Sequence, residues 1–540
     1  MNKETSNLST AIWIAFWIIV LVGVIMFFEV WCPLAIYDTD DWTYLAPVRT
    51  SKWFPSVREW NPIKVLPENL MPFAASVGVR FFMPFSGNFV KSVNDGCALI
   101  IALLVFSYFY LSIRVLSKKF ELDIISGIIL SVFFIFVHFL PFIGKGEIVD
   151  NLFTAGNVCT YYNYTAATLV NIITVLIMII HEDKMRDSSS SPLYFYINKV
   201  VLLILVYLSI NSNLFCGVII AAYSFVKIIQ YIFVERRDCM TSTSHRITDS
   251  VIYIFTLILF FGSMCFEING GRAAQVGNGS LNITESIRAI ISTFVNKNIL
   301  FIILMSISFA GGIAAIVYAL RYRKEYIHTL DIKIVNKMTR YNKKKVKKTR
   351  DVLSSNIETI DENSLKYHVI KYANYAALFL TCAIGIMLFI TLLCAKINSG
   401  YVNSANVQLE WYFFFILNLS FLFVLAIKYN SKSSIVIGIL TAVIVYMTAL
   451  SGRAYTYNWY SPEVCENVCD YIVQQYIEAD NAGLTYAEIR VPQYDTEDNW
   501  PLANYGGSRI ANVLSYYGIT DNYIEAVFVP DYSLNENFGL

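Results

Sequence analysis

Charge is what this sequence has least of. Asp, Glu, Lys and Arg make up 15% of its 540 residues, where an ordinary soluble domain carries about 25%. With 56% hydrophobic residues and a mean hydropathy of +0.53, the chain is not a soluble enzyme and reads as a polytopic membrane protein. None of its ten cysteines forms a Cys-x-x-Cys pair, which leaves zinc-type ligation without support. Cys97, Cys216, Cys265, Cys382 and Cys394 lie inside apolar runs, where they act as small hydrophobes. Cys465 and Cys469 stand four apart in a helix-like stretch, an awkward spacing for a disulfide. A cleavable leader is not expected, because the first apolar run is too long and lacks a small-residue cleavage site. The apolar runs hold few charges, and no internal repeat is visible, both of which weigh against a transporter.

What is present is a series of eleven candidate spans, near 11–36, 93–113, 124–142, 162–180, 199–213, 214–234, 249–266, 299–320, 373–395, 411–428 and 434–450. Only Asn211-Ser212-Asn213 separates the fifth from the sixth, so these form either a tight hairpin or one broken element. The distribution of Lys and Arg sets the expected orientation. Alternate loops hold Arg114, Lys118 and Lys119, then Lys184 and Arg186, then Arg236, Arg237 and Arg246. The 321–371 loop holds fourteen Lys or Arg against six acids. The tail 451–540 has three Arg against thirteen acids. This pattern predicts a cytoplasmic N-terminus and an extracytoplasmic tail. It gives the basic 321–371 loop a place beside anionic lipid and not on nucleic acid.

The expected outer face receives loops 37–92, 143–161, 267–298 and 396–410. The most concentrated chemistry is Tyr37-Asp38-Thr39-Asp40-Asp41-Trp42, three carboxylates in four residues at the end of the first span. Asp40 and Asp41 are the candidate general bases, with Asp38 a weaker third. Glu147, Asp150 and Asn157 of the second outer loop are candidates to line the same acidic, polar pocket, and His138 and Pro141 precede them. Lys145, Arg272 and Arg453 are cations on a face where the positive-inside bias disfavours them, so they are candidate phosphate ligands. Trp42, Trp53, Phe54 and Trp60 with Pro55, Pro62 and Pro67 suggest a folded first loop with short interfacial helices. In the tail, Ser461-Pro462-Glu463 opens a helix that runs to Gly483. A strand follows at 488–491, a second helix from Asn499-Trp500-Pro501 to Gly518, and a second strand at 524–529. The expected fold class is therefore an α-helical polytopic membrane region, residues 1–450, followed by a small α/β extracytoplasmic domain, residues 451–540.

The acidic stretch after the first span, the large first outer loop, the many spans and the outward tail together resemble the GT-C superfamily of integral membrane glycosyltransferases. The tail's "EADNAG", "NWP", "YYGI" and "VFVPDY" stretches are similar to bacterial members related to O-antigen-modifying glucosyltransferases. The resemblance implies a polyprenyl-phosphate sugar as donor, a cell-surface glycan as acceptor, a bacterial plasma membrane, and Asp40 or Asp41 as the family's first-loop acid. It implies no obligatory cofactor, although clustered Asp leaves a divalent metal possible. Arg272, Arg453 and Lys145 match no family motif; their phosphate role follows from their chemistry and side. The competing classes are a polysaccharide polymerase or ligase acting on lipid diphosphates, a transporter and a non-catalytic membrane scaffold.

Overall fold

The computed structural model describes residues 3–47, 65–143, 152–153, 157–185, 192–233, 243–269, 282–323, 325–326, 360–361, 364–403, 407–451, 461–492 and 506–540. It is helical almost throughout. In chain order the elements are α1 (Lys3–Met26), α2 (Thr39–Leu45), α3 (Val65–Val77), α4 (Met83–Ser86), α5 (Phe89–Phe120) and α6 (Ile124–Val137). Then come α7 (Val158–Thr160), α8 (Ala167–Met185), α9 (Pro192–Ile210), α10 (Leu214–Phe233), α11 (Thr243–Asn269), α12 (Ile283–Val295) and α13 (Ile299–Arg321). The series closes with α14 (Leu365–Ile397), α15 (Leu409–Tyr429), α16 (Ser431–Leu450), α17 (Pro462–Asn481), β1 (Tyr486–Val491), α18 (Gly506–Tyr516), β2 (Glu525–Pro530) and α19 (Ser533–Phe538). Among the described residues nine helices are long and apolar enough to cross a membrane, and two shorter apolar ones, Ile124–Val137 and Asn198–Ile210, accompany them. The chain is an α-helical polytopic membrane protein. Asn211-Ser212-Asn213 is the turn of a hairpin between α9 and α10, which settles the ambiguity between the fifth and sixth runs.

The helices pack around α15, which is almost wholly enclosed, while α1 and α16 at the periphery leave most of their surface uncovered by protein. Polar contacts within this core are few and specific, as expected where lipid offers no competing hydrogen bonds. Asn418 of α15 donates to the Ser308 carbonyl of α13 at 2.8 Å and accepts from the Tyr372 hydroxyl of α14 at 3.1 Å. Gly312 lets those helices close, since a Cβ there would lie 2.7 Å from Leu380 and 3.1 Å from the Asn418 side chain. Lys227 of α10 and Tyr223 and Tyr253 all donate to the Glu182 carboxylate, tying α8, α10 and α11 together. His138, at the end of α6, donates from Nδ1 to the Phe134 carbonyl at 2.6 Å and accepts from the Tyr108 hydroxyl at 2.7 Å. With both ring nitrogens engaged, the side chain has a packing role.

Two ends of the bundle can be told apart by their ties. At one end Lys428 and Lys371 donate to the Phe120 and Lys119 carbonyls, at 2.7 and 2.9 Å. These are the last carbonyls of α5, where helix geometry leaves acceptors unpaired and partial negative charge collects. At the other end, here called the mouth, Leu66 N–H bonds the Asn211 carbonyl and Ile36 N–H bonds the Asn94 side chain, both at 3.0 Å. There α3 lies in backbone contact with α5. A Cβ on Gly96 would sit 2.5 Å from the Ala74 carbonyl and from the Gly78 nitrogen. The expectation of short helices in the first loop is met by α2, α3 and α4.

Residues 461–492 and 506–540 sit on the mouth. Ser461 caps α17 by accepting from Val464 N–H at 3.2 Å, and Pro462 follows at the first helical position. The helix stops at Gly483, whose φ of +71° is costly for other residues. β1 and β2 pair in parallel, from Tyr486 opposite Glu525 to Val491 opposite Pro530, with α18 as the crossover that parallel pairing requires. Gln475 of α17 covers part of β1, bonding both the N–H and the carbonyl of Arg490 at 2.8 and 2.9 Å. The helix–strand–helix–strand order expected from the sequence is present, with α19 added at the end. Asn499-Trp500-Pro501 lies outside the described residues.

Candidate functional site

Just past α1 the chain leaves the helix through a π turn at Phe27–Trp31, and helix formation resumes at Thr39. Asp38 caps α2. Its Oδ1 accepts from Asp40 N–H at 3.0 Å, and its Oδ2 accepts from the Asn157 side-chain amide at 3.0 Å. Asp41 closes the reciprocal half of the cap. Its Oδ2 accepts from the N–H groups of Tyr37 and Asp38 at 3.1 and 3.2 Å, and its Oδ1 from Cys159 N–H at 2.6 Å. Asn157 caps the next helix in turn, its Oδ1 accepting from Thr160 N–H at 2.7 Å. The acids therefore bind the first loop to the start of α7. Of the residues expected to meet there, Asp38, Asp41 and Asn157 do so.

The two candidate bases are not equivalent. Asp41 is fully buried. Burial raises its carboxyl to about 7, the nearby Asp38 charge adds to the rise, and the three amide donors pull against it. Its lone pairs are committed to the backbone. Asp40 is exposed on the first turn of the same helix. Trp42 and Leu45, fully buried, anchor α2 from below.

Several residues at the mouth were not singled out by the sequence. Arg509 of α18 donates to the Thr43 hydroxyl. Thr43 is three residues beyond Asp40, hence on the same side of α2. The Tyr517 hydroxyl donates to the Leu45 and Pro72 carbonyls at 2.7 and 3.1 Å, joining the tail to α2 and α3. Cys469 is a free thiol, not half of a disulfide with Cys465, and donates to the Ile36 carbonyl at 3.2 Å. Glu466 accepts from Asn94 at 3.2 Å. Glu29, in the π turn, hydrogen-bonds Asp95, and Lys91 pairs with Asp95 at 3.7 Å. One signal was available for Arg509, as one of only three cations in the tail. Lys145, Glu147, Asp150, Arg272 and Arg453 lie outside the described residues.

A second polar region lies inside the bundle. Glu410, in the first turn of α15, is fully buried. Its Oε1 accepts from the Thr168 hydroxyl at 3.1 Å and the Cys216 thiol at 3.6 Å. Its Oε2 has no hydrogen-bond partner among the described residues. Around it the α9–α10 turn is knitted to α8: Asn171 donates to the Ser209 carbonyl and Ser212 hydroxyl at 3.0 and 3.2 Å, and Asn213 donates to the Asn163 carbonyl at 3.1 Å. A buried acid in a membrane bundle marks a site more often than a structural necessity. The sequence placed Glu410 at the edge of a loop, one residue before the tenth run, and so gave it no weight. Among the described residues no three His, Cys, Asp or Glu side chains are arranged to hold a metal ion. No family model, curated protein or solved structure matches the chain.

Proposed function

We propose that the protein is a membrane glycosyltransferase of the GT-C type, moving a sugar from a polyprenyl-phosphate carrier to a glycan acceptor at the mouth. In this reading the nine long apolar helices and the two shorter ones make eleven spans. The N-terminus is cytoplasmic, and the mouth with residues 462–540 is extracytoplasmic. The observation that carries the reading is the exposed position of Asp40 on a helix locked by Asp38, Asp41 and Asn157, where the bundle meets the tail. A base has to be rigidly placed yet reachable, and Asp40 meets both conditions.

Asp40 takes the proton from an acceptor hydroxyl. The hydroxyl oxygen bonds to the anomeric carbon, the bond from that carbon to the phosphate oxygen breaks, and the lipid phosphate leaves with its electron pair. One direct displacement inverts the anomeric centre. Arg509, which donates to Thr43 one turn beyond Asp40, would offset charge on the leaving phosphate, with Lys145, Arg272 and Arg453 as further candidates.

The test is transfer by membranes carrying Asp40→Asn, with a panel of polyprenyl-phosphate sugars as donors. Loss of about a hundredfold or more in rate with an unchanged folded yield is expected. A variant as active as the parent would remove Asp40 from the chemistry. Glu410 favours one second reading, a transporter, because transporters place ionisable groups inside the bundle. Solute uptake by vesicles that is abolished by Glu410→Gln and untouched by Asp40→Asn would select it.

A further inference from the structure

The loop between α11 and α13 was expected only to lie on the outer face. Its described part contains α12, whose surface does not suit water. Ile283, Ile287, Ile291 and Val295 are exposed at 38, 47, 57 and 68%. The residues turned inward include Ser286, fully buried, and Thr293, 7% exposed. The outward face is thus more apolar than much of the inward one. The inward face closes over a small hollow lined by Ile290, Thr293, Met387, Ile390, Val402 and Trp411.

The exposed surface is itself divided. A helix turns about 100° per residue, so positions four apart drift by about 40° and keep one side. Ile283, Ile287, Ile291 and Val295 dominate one sector, which also holds exposed Thr284, while exposed Glu285, Arg288 and Ser292 fill the adjoining one. No single medium satisfies both sectors; a boundary between hydrocarbon and water does. With 13 residues the helix is about 20 Å long, short of the roughly 30 Å hydrocarbon thickness. Both ends are pinned at the mouth. Asn282 N–H bonds the Ala395 carbonyl near the end of α14, and Asn298 N–H bonds the Pro141 carbonyl, each at 3.0 Å. The aliphatic sector runs on into exposed Ile299 and Ile303 of α13, a helix long enough to span, and so is continuous with a lipid-facing surface.

We propose that α12 is an interfacial helix, lying in the plane of the membrane at the mouth with its aliphatic sector in lipid hydrocarbon and Glu285, Arg288 and Ser292 toward water. A second copy of the chain fits less well as the occupant. Apart from Thr284 its exposed residues are aliphatic, and Phe294 on the same side is packed against Trp411, so the stripe offers none of the exposed aromatic or Arg anchors that dominate protein contacts. The lipid assignment does not depend on the transfer reading.

The test places the photo-crosslinking residue benzoylphenylalanine at 287, 291 or 288 in the full chain, reconstituted in vesicles of phosphatidylethanolamine and phosphatidylglycerol. All three positions are exposed, so folding is retained and is checked by size exclusion. Phospholipid adducts in the intact-mass spectrum at 287 and 291, with a yield several-fold above that at 288, are expected. A covalent dimer at 287 and 291, or lipid yields no greater there than at 288, overturns the proposal.

Discussion

Asp41 and Glu410 are both fully buried carboxyl groups, yet they are held in opposite ways. Asp41 meets three backbone N–H donors from two separate segments, and the fold has closed around it. Glu410 meets a hydroxyl and a thiol on one oxygen, and its other oxygen has no hydrogen-bond partner among the described residues. A saturated carboxylate is a structural bolt, since removing it orphans its donors. A half-satisfied one can change its protonation or its partner without dismantling its surroundings. Position in the sequence had suggested the reverse, with Asp41 a candidate for chemistry and Glu410 part of a loop edge.

The largest effect that distinguishes the two is expected from Asp41→Ala. Two buried amides and one half-buried amide lose their acceptor, at roughly 1–3 kcal/mol for each buried one, so the variant should lose about 3 kcal/mol or more, or fail to accumulate. Thermal unfolding in detergent measures this, and a shift of only a degree or two would end the bolt interpretation. Next comes pH. The Asp41 carboxyl is raised from its ordinary value to about 7 in the folded chain. A raised acid binds its proton more tightly when folded, so its contribution is complete at low pH and is lost as pH rises through about 7. The melting temperature should therefore fall between about pH 4 and pH 7, and Asp41→Asn should flatten that part of the curve. A flat parent curve would show that the three amides outweigh burial. Asn157→Ala removes a helix cap and the Asp38 tie together, at a cost of about 1–2 kcal/mol. It should leave α2 open to proteolysis before the bundle unfolds. The smallest change is expected from Glu410→Gln, within about 1 kcal/mol of the parent or slightly stabilising, because a neutral amide is cheaper to bury than a carboxylate. A loss as large as that of Asp41→Ala would mean that Glu410 also holds a fixed partner.

The fold was legible where physics is local. Long apolar runs marked the apolar helices, Ser461-Pro462 and Gly483 marked the limits of α17, and Asn211-Ser212-Asn213 marked the break between the fifth and sixth runs. Legibility failed where a contact spans the chain. Nothing near Arg509 or Tyr517 announces Thr43 and Leu45 as partners. α12 was missed because its polar residues turn both to water and to protein, which blurs the periodicity that usually reveals a core face. Glu410 was missed by a shift of two residues in the start of α15, enough to move it from a loop into the bundle. At the mouth, the sequence singled out the Asp stretch, but only coordinates separate exposed Asp40 from enclosed Asp41.

The tie between Arg509 and Thr43 joins residues 466 positions apart. A ribosome adding roughly 5–20 residues per second needs about 20 to 90 s to cover that distance. For most of that interval α2 has been made while α17 and α18 have not. The Asp38–Asp41 cap closes early on its neighbours in sequence, but the mouth is finished last. A stalled or truncated chain would thus present a complete bundle and an uncovered acidic helix. That is a form a quality-control protease can distinguish from the finished protein, and the interval during which a chaperone at the membrane surface would be needed.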